Sequence, residues 1–189
     1  MKNGYRKCLL AALFLSVICF KSIAQPTAAF TINYPAPVCV PAAFSFSNTS
    51  TGTEPLSYHW QFGDNTESDT TINPAHTFDT CGNFLITLIV TDGFGLTDTI
   101  SKPVNVFCPL QTGFHFTQSI SCDTAYVEFF DETAGSPSGR QWTFGDPASG
   151  ASDSSSLKNP THHYSMPGEY VVSLTVTSPA GCVSSISDS

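Results

Sequence analysis

Basic side chains are scarce in this sequence: seven Lys and Arg stand against fifteen Asp and Glu in 189 residues. Four of the seven, Lys2, Arg6, Lys7 and Lys21, crowd the first stretch, leaving only Lys102, Arg140 and Lys158 beyond it. Three minus fifteen gives a net charge of −12 after residue 24. A surface this acidic repels phosphate backbones and anionic lipid heads, which excludes nucleic acid as a partner. Long apolar runs are also missing after Phe20, and with them any later transmembrane segment. Helical periodicity is absent there too. No C-x-x-C, H-E-x-x-H or G-x-S-x-G occurs, and the loop Gly135 to Gly139 has Pro137 where a nucleophile elbow needs serine. Asp131, Glu132 and the other carboxylates lie at predicted strand ends with no implied cleft, so enzyme activity is not expected.

What is present begins with a leader. Lys2, Arg6 and Lys7 precede thirteen mostly apolar residues from Cys8 to Phe20, and Ser22-Ile23-Ala24 offers small residues for a peptidase. Thirteen residues are too few to cross a bilayer comfortably, and Cys19 follows Ile18 rather than the small residue of a lipoprotein signal. Residues 1–24 read as a secretory signal peptide cleaved before Gln25, which places the mature chain outside the cell or on its surface. Five cysteines then remain: Cys39, Cys81, Cys108, Cys122 and Cys182. In a secreted chain they predict disulfides, with the odd cysteine free or paired elsewhere.

The rest is written twice. Trp60-Gln61-Phe62-Gly63-Asp64 returns as Trp142-Thr143-Phe144-Gly145-Asp146, an offset of 142 − 60 = 82 residues. Asn73-Pro74-Ala75-His76 returns as Asn159-Pro160-Thr161-His162, and Gly82-Asn83-Phe84 as Gly168-Glu169-Tyr170, now offset by 168 − 82 = 86. Four residues have therefore entered the second copy between its Trp motif and its Asn-Pro turn. A repeat of this kind divides the chain into residues 25–108 and 109–189, each large enough to fold alone.

Within each copy the pattern has period two. Ala43 to Asn48, Leu56 to Phe62, Asn83 to Thr91 and Thr97 to Phe107 read as strands, the third with Phe84, Ile86, Leu88 and Val90 on one face. In the second copy Ala125 to Phe130 and the run with Tyr170, Val172, Leu174 and Val176 inward do the same. Gly63-Asp64-Asn65, Asn73-Pro74 and Asp92-Gly93 supply the turns. Short strands punctuated this often predict two tandem all-β sandwiches. Counted at the second offset, Ser189 falls opposite Pro103, so the final strand is expected to be incomplete and the chain to be part of a longer protein.

Laid side by side, Trp-x-Phe-Gly-Asp, Asn-Pro-x-His-x-aromatic and Gly-x-aromatic before a Leu-x-Val-Thr strand resemble the PKD domain, an immunoglobulin-like sandwich. The resemblance covers about Ala28 to Phe107 and about Gly113 to Ser189. The glycine usual after the Asp is Asn65 in one copy and Pro147 in the other. Asn can take a left-handed conformation and Pro cannot, so the second turn is expected to differ, with its insertion Ala148 to Ser156. The resemblance implies a non-catalytic spacer, adhesion or interaction module, with an extracellular protein or polysaccharide as partner. The alternative it leaves open is a carbohydrate-binding accessory region of a secreted hydrolase.

Each conspicuous residue has a plain reading beside a functional one. Trp60 and Trp142 could stack on sugars, but aromatic neighbours at alternate positions favour the core, leaving exposed rings such as Phe94 as better platforms. Asp64 and Asp146 are calcium candidates with too few oxygens around them, and turn stabilisation is preferred; no other cofactor is expected. His76 and His162 lack metal-ligand partners and are assigned a structural hydrogen bond at a turn. In an immunoglobulin-like sandwich Cys39 and Cys81 fall at the same end, so they are expected to pair. Cys108 with Cys182 is the second expected pair, and Cys122 with Cys182 the alternative.

Overall fold

The computed structural model describes residues 24–34, 36–121 and 124–189. The expected signal peptide, residues 1–24, lies outside the described residues but for Ala24, and so does Cys122. The chain is all-β, two immunoglobulin-like sandwiches in tandem. The first is built from β1 (Phe30–Asn33), β2 (Ala42–Asn48), β3 (Ser57–Gln61), β4 (Ala75–Phe78), β5 (Gly82–Thr91) and β6 (Thr97–Val106). One sheet has the order β1-β2-β4 and the facing sheet β3-β5-β6, with antiparallel pairing throughout.

The second sandwich repeats this with β7 (Phe114–Ser121), β8 (Thr124–Asp131), β9 (Gly139–Thr143), β10 (Ser154–Ser155), β11 (Thr161–Tyr164), β12 (Val172–Thr177) and β13 (Val183–Asp188). Its sheets run β11-β8-β7 and β10-β9-β12-β13. Each sandwich closes on its own apolar core, and the two cores share no residue. Alternation is the cause. On β5, Phe84, Ile86, Leu88 and Val90 are buried, and on β12 Val172, Leu174 and Val176 are, because successive side chains leave opposite faces of a strand. Pro103 sits on β6, an edge strand, where its missing N–H interrupts no ladder.

Two details extend the sequence reading. The Asn-Pro turns are followed by true strands, β4 and β11, so His76 and His162 stand on strands rather than in turns. After the Gly-Asp pair the copies part as expected. Asn65 takes the left-handed conformation (φ 64°), whereas Pro147 begins a 3-10 segment, Pro147–Asp153. The Asp153 carboxylate there accepts the Asp146 N–H at 2.6 Å, and β10 then adds to β9 as a fourth strand.

Candidate functional site

The repeated residues come together in one column per sandwich. In the first, Phe30 meets Trp60 edge-on at 5.1 Å, Trp60 lies 5.7 Å from Phe46, and Phe46 lies 5.5 Å from Phe62. Phe62 stacks on the His76 imidazole at 4.0 Å, His76 meets Phe78, and Phe78 stacks on Phe84 at 4.4 Å. Phe114, Trp142, Phe129, Phe144, His162, Tyr164 and Tyr170 retrace the column with the same neighbours. Both tryptophans are fully buried, with their indole N–H donating to the carbonyls of Thr71 and Leu157. A buried indole spans the gap between sheets and needs one acceptor, which the neighbouring loop provides.

Glycine follows the Phe of each motif for a steric reason. Gly63 and Gly145 have φ of 81° and 69°, and a Cβ there would lie 2.9 Å from the Leu85 backbone and 2.4 Å from the Val171 carbonyl oxygen. The turn thus presses its backbone against the long strand region, which only glycine permits. That places the next residue, the Asp, over the column. Asp64 Oδ2 lies 2.7 Å from His76 Nε2, while its Oδ1 accepts from the Thr66 hydroxyl at 2.6 Å and the Thr66 N–H at 3.2 Å. Burial acts to raise the Asp64 carboxyl, but the hydrogen bonds from Thr66 and His76 outweigh it and hold the group below its ordinary range.

In the second copy Asp146 Oδ2 lies 3.2 Å from His162 Nε2, both groups being buried. Tyr164 replaces Phe78 there and donates its hydroxyl to the Phe144 carbonyl at 2.9 Å. Burial, and then the nearby Asp146 and Asp153, push its phenol up to about 12. What these turns offer a cation is two carboxylates in separate sandwiches, each facing a protein donor. Among the described residues, no three or more His, Cys, Asp or Glu side chains converge as a metal site would require.

Asn73 and Pro74 stitch their loop to β2: the Asn73 side-chain oxygen accepts the Asn48 N–H at 2.8 Å and the Pro74 carbonyl accepts the Phe46 N–H at 2.9 Å. Asn159 and Pro160 do the same for Asp131 and Phe129 on β8. Gly82 opens β5 and Gly168 precedes Tyr170, each glycine packing under the following ring. These positions form the frame of the fold, with no catalytic grouping among them. Phe94 is 61% exposed, alone at the tip of the β5–β6 hairpin.

The four cysteines meet where the sandwiches join, but in a different pairing from the expected one. Cys39 is bonded to Cys182 and Cys81 to Cys108. The β5–β6 register is the reason. Its ladder runs from Thr91↔Thr97 to Gly82↔Val106, so Cys81 falls opposite Phe107, beside Cys108. Cys39 is then held by a parallel bridge: Phe107 N–H donates to the Val38 carbonyl at 2.8 Å and Val40 N–H to the Phe107 carbonyl at 3.1 Å. That leaves it facing the β12–β13 hairpin and Cys182. Counting the hairpin register would have found this pairing in the sequence. Sequence reasoning also missed the Asp64–His76 and Asp146–His162 contacts, although their joint repetition was the available signal.

The family-model comparison agrees with this two-part architecture. The family model for the PKD domain matches residues 23–108 and 117–189. Among solved structures, the PKD1 domain of the Vibrio cholerae metalloprotease PrtV is 28% identical over 44% of this chain and 98% of its own, with a TM-score of 0.38. The PKD1 domain of Vibrio anguillarum Epp is 27% identical over 46% of this chain and 99% of its own, with a TM-score of 0.40.

Proposed function

The chain belongs to the PKD-domain family, and on that premise we propose that it is a non-catalytic extracellular spacer and adhesion module whose two sandwiches act as one rigid unit. The observation that carries this reading is the junction. The Cys39–Cys182 bond joins the two sandwiches covalently, and the Val38, Phe107 and Val40 hydrogen bonds brace the same point. A spacer must transmit position, and a covalent tie beside the linking segment at Phe107 adds a second connection that restrains the hinge a single one would leave. Disulfides persist in oxidising surroundings, which suits secretion or display on a cell surface.

NMR relaxation on the oxidised protein tests the reading. A single rotational correlation time for both sandwiches, replaced by two shorter ones in Cys39→Ser/Cys182→Ser, is the expected result. Independent tumbling of the sandwiches in the oxidised wild type would overturn it. The carbohydrate-binding alternative has one observation in its favour, the exposed Tyr126 and His163 rings lying 4.6 Å apart on the outer face of the β11-β8-β7 sheet.

A further inference from the structure

The repeat supplies its own internal control. His76 on β4 pairs with Phe44 on β2, and His162 on β11 with Val127 on β8, so the two sheets can be laid position on position. Inward positions stay apolar, Phe46 matching Phe129 and Phe30 matching Phe114, with Val127 in place of Phe44. Outward positions do not match at all. The first sandwich shows Thr31, Ser47, Ala43 and Thr77 to solvent, where the second shows His115, Tyr126 and His163, with Phe130 half-buried at the fourth position.

These rings form two cross-strand pairs on one face of the sheet. His115 stacks on Phe130 at 4.8 Å and 12°, and is further oriented by Glu132 at 2.8 Å from its Nδ1. Tyr126, 57% exposed, lies 4.6 Å from the His163 ring. Tyr126 and Phe130 stand four positions apart on β8, about 13 Å at a strand's rise. Between the pairs lies a polar row, Thr117, Glu128 and Thr161, in register across the three strands. All three of those side chains are exposed.

We propose that this outer face of the β7, β8 and β11 sheet binds a neutral polysaccharide, a reading that rests on the chain being an interaction module. A pyranose ring has an apolar C–H face that covers an aromatic ring and a rim of hydroxyls that seeks hydrogen bonds. Rings alternating with Thr and Glu match that amphipathic pattern. The face carries Glu128 and Glu132 and no Lys or Arg, so it repels phosphorylated, sulfated or uronate polymers. A protein partner would call for a continuous apolar centre depleted of charge, and here the centre is the Glu128 row. An exposed Tyr126 beside a half-buried Phe130 is also apolar surface that a purely passive face would not carry.

The test is depletion of the full disulfide-bonded chain from solution by insoluble cellulose and chitin, with heparin-agarose as the anionic comparison. Retention on at least one neutral polymer, little affected by salt, is expected. Tyr126→Ala/His163→Ala should weaken that retention by about tenfold or more. Both side chains are exposed, so its melting temperature should stay at the wild-type value, as should that of the control Ala43→Ser/Thr77→Ala, which should bind normally. Retention on heparin alone, unchanged binding by the Tyr126/His163 variant, or no retention on either neutral polymer would overturn the proposal. In the last case a single correlation time for both sandwiches would leave the spacer reading standing, and independent tumbling would remove both.

Discussion

Cys39, ahead of β2 in the first sandwich, is bonded to Cys182 in the β12–β13 hairpin of the second, 143 residues further on. The same point is closely packed, since a Cβ built on Gly181 would lie 3.1 Å from the Cβ of Pro37. Closing so long a loop restricts the unfolded chain by about 5 kcal/mol in the loop-entropy description. Non-reducing peptide mapping should therefore recover Cys39 linked to Cys182 and Cys81 linked to Cys108. A Cys39–Cys81 peptide would contradict the junction. Because each sandwich has its own core, Cys39→Ser/Cys182→Ser should leave both folded and split one calorimetric transition into two.

The glycines of the repeated motif predict an asymmetry between the copies. Alanine at Gly63 or Gly145 meets the left-handed penalty of roughly 1–2 kcal/mol in either sandwich. The approach to Val171 is closer than that to Leu85, 2.4 Å against 2.9 Å, so the second copy has less room. Gly145→Ala should lose more stability than Gly63→Ala, of the order of 3 kcal/mol or more. Thermal melts of the two variants check this, and equal shifts would mean the turn relaxes away from the strand.

The architecture was legible because its signals are local and written twice. Period-two alternation set the strand faces, and the Trp, Phe, Gly and Asp spacing marked the same turn in both copies. The short strands β4 and β11 were hidden because Ala75–Phe78 and Thr161–Tyr164 are only four residues each and carry a histidine at an inward position. Cysteine pairing depends on register summed along a whole hairpin, and the general rule that both loops lie at one end could not separate Cys81–Cys108 from Cys39–Cys81. The ring-bearing outer face of the second sandwich is hidden because no single strand carries it. Its rings lie on β7, β8 and β11, where only the partner register brings them together.

Acid should unfold the protein through a few named carboxylates. Asp64 is held below its ordinary range, as described. Burial likewise acts to raise Asp131, and the Arg140 and Thr133 hydrogen bonds outweigh it, so that group is lowered too. A depressed folded value means the stabilisation is fully present above the unfolded carboxylate value of about 3.9 and is lost as pH falls through the lower folded value. Urea midpoints should fall steeply below about pH 4 in the wild type and less steeply in Asp64→Asn and Asp131→Asn. Identical slopes in all three proteins would assign the acid lability to other groups.

The Arg140–Asp131 contact joins β9 to β8, strands of opposite sheets, and the Asp131 side chain is only 2% exposed. The first sandwich places Asn48 at the equivalent position, so the ion pair is particular to the second. Replacing Arg140 with Met leaves an enclosed carboxylate with the Thr133 N–H as its remaining donor, and should cost about 2–4 kcal/mol. Asp131→Asn removes the charge together with the need for its partner, and should cost less. In the Arg140→Met/Asp131→Asn double variant the loss should therefore be smaller than the sum of the singles, because no unpaired charge remains. Measured by calorimetry in the Cys39→Ser/Cys182→Ser background, these changes should move only the transition of the second sandwich. Additive losses would mean that the two side chains act separately, with the pair contributing nothing beyond its solvated parts.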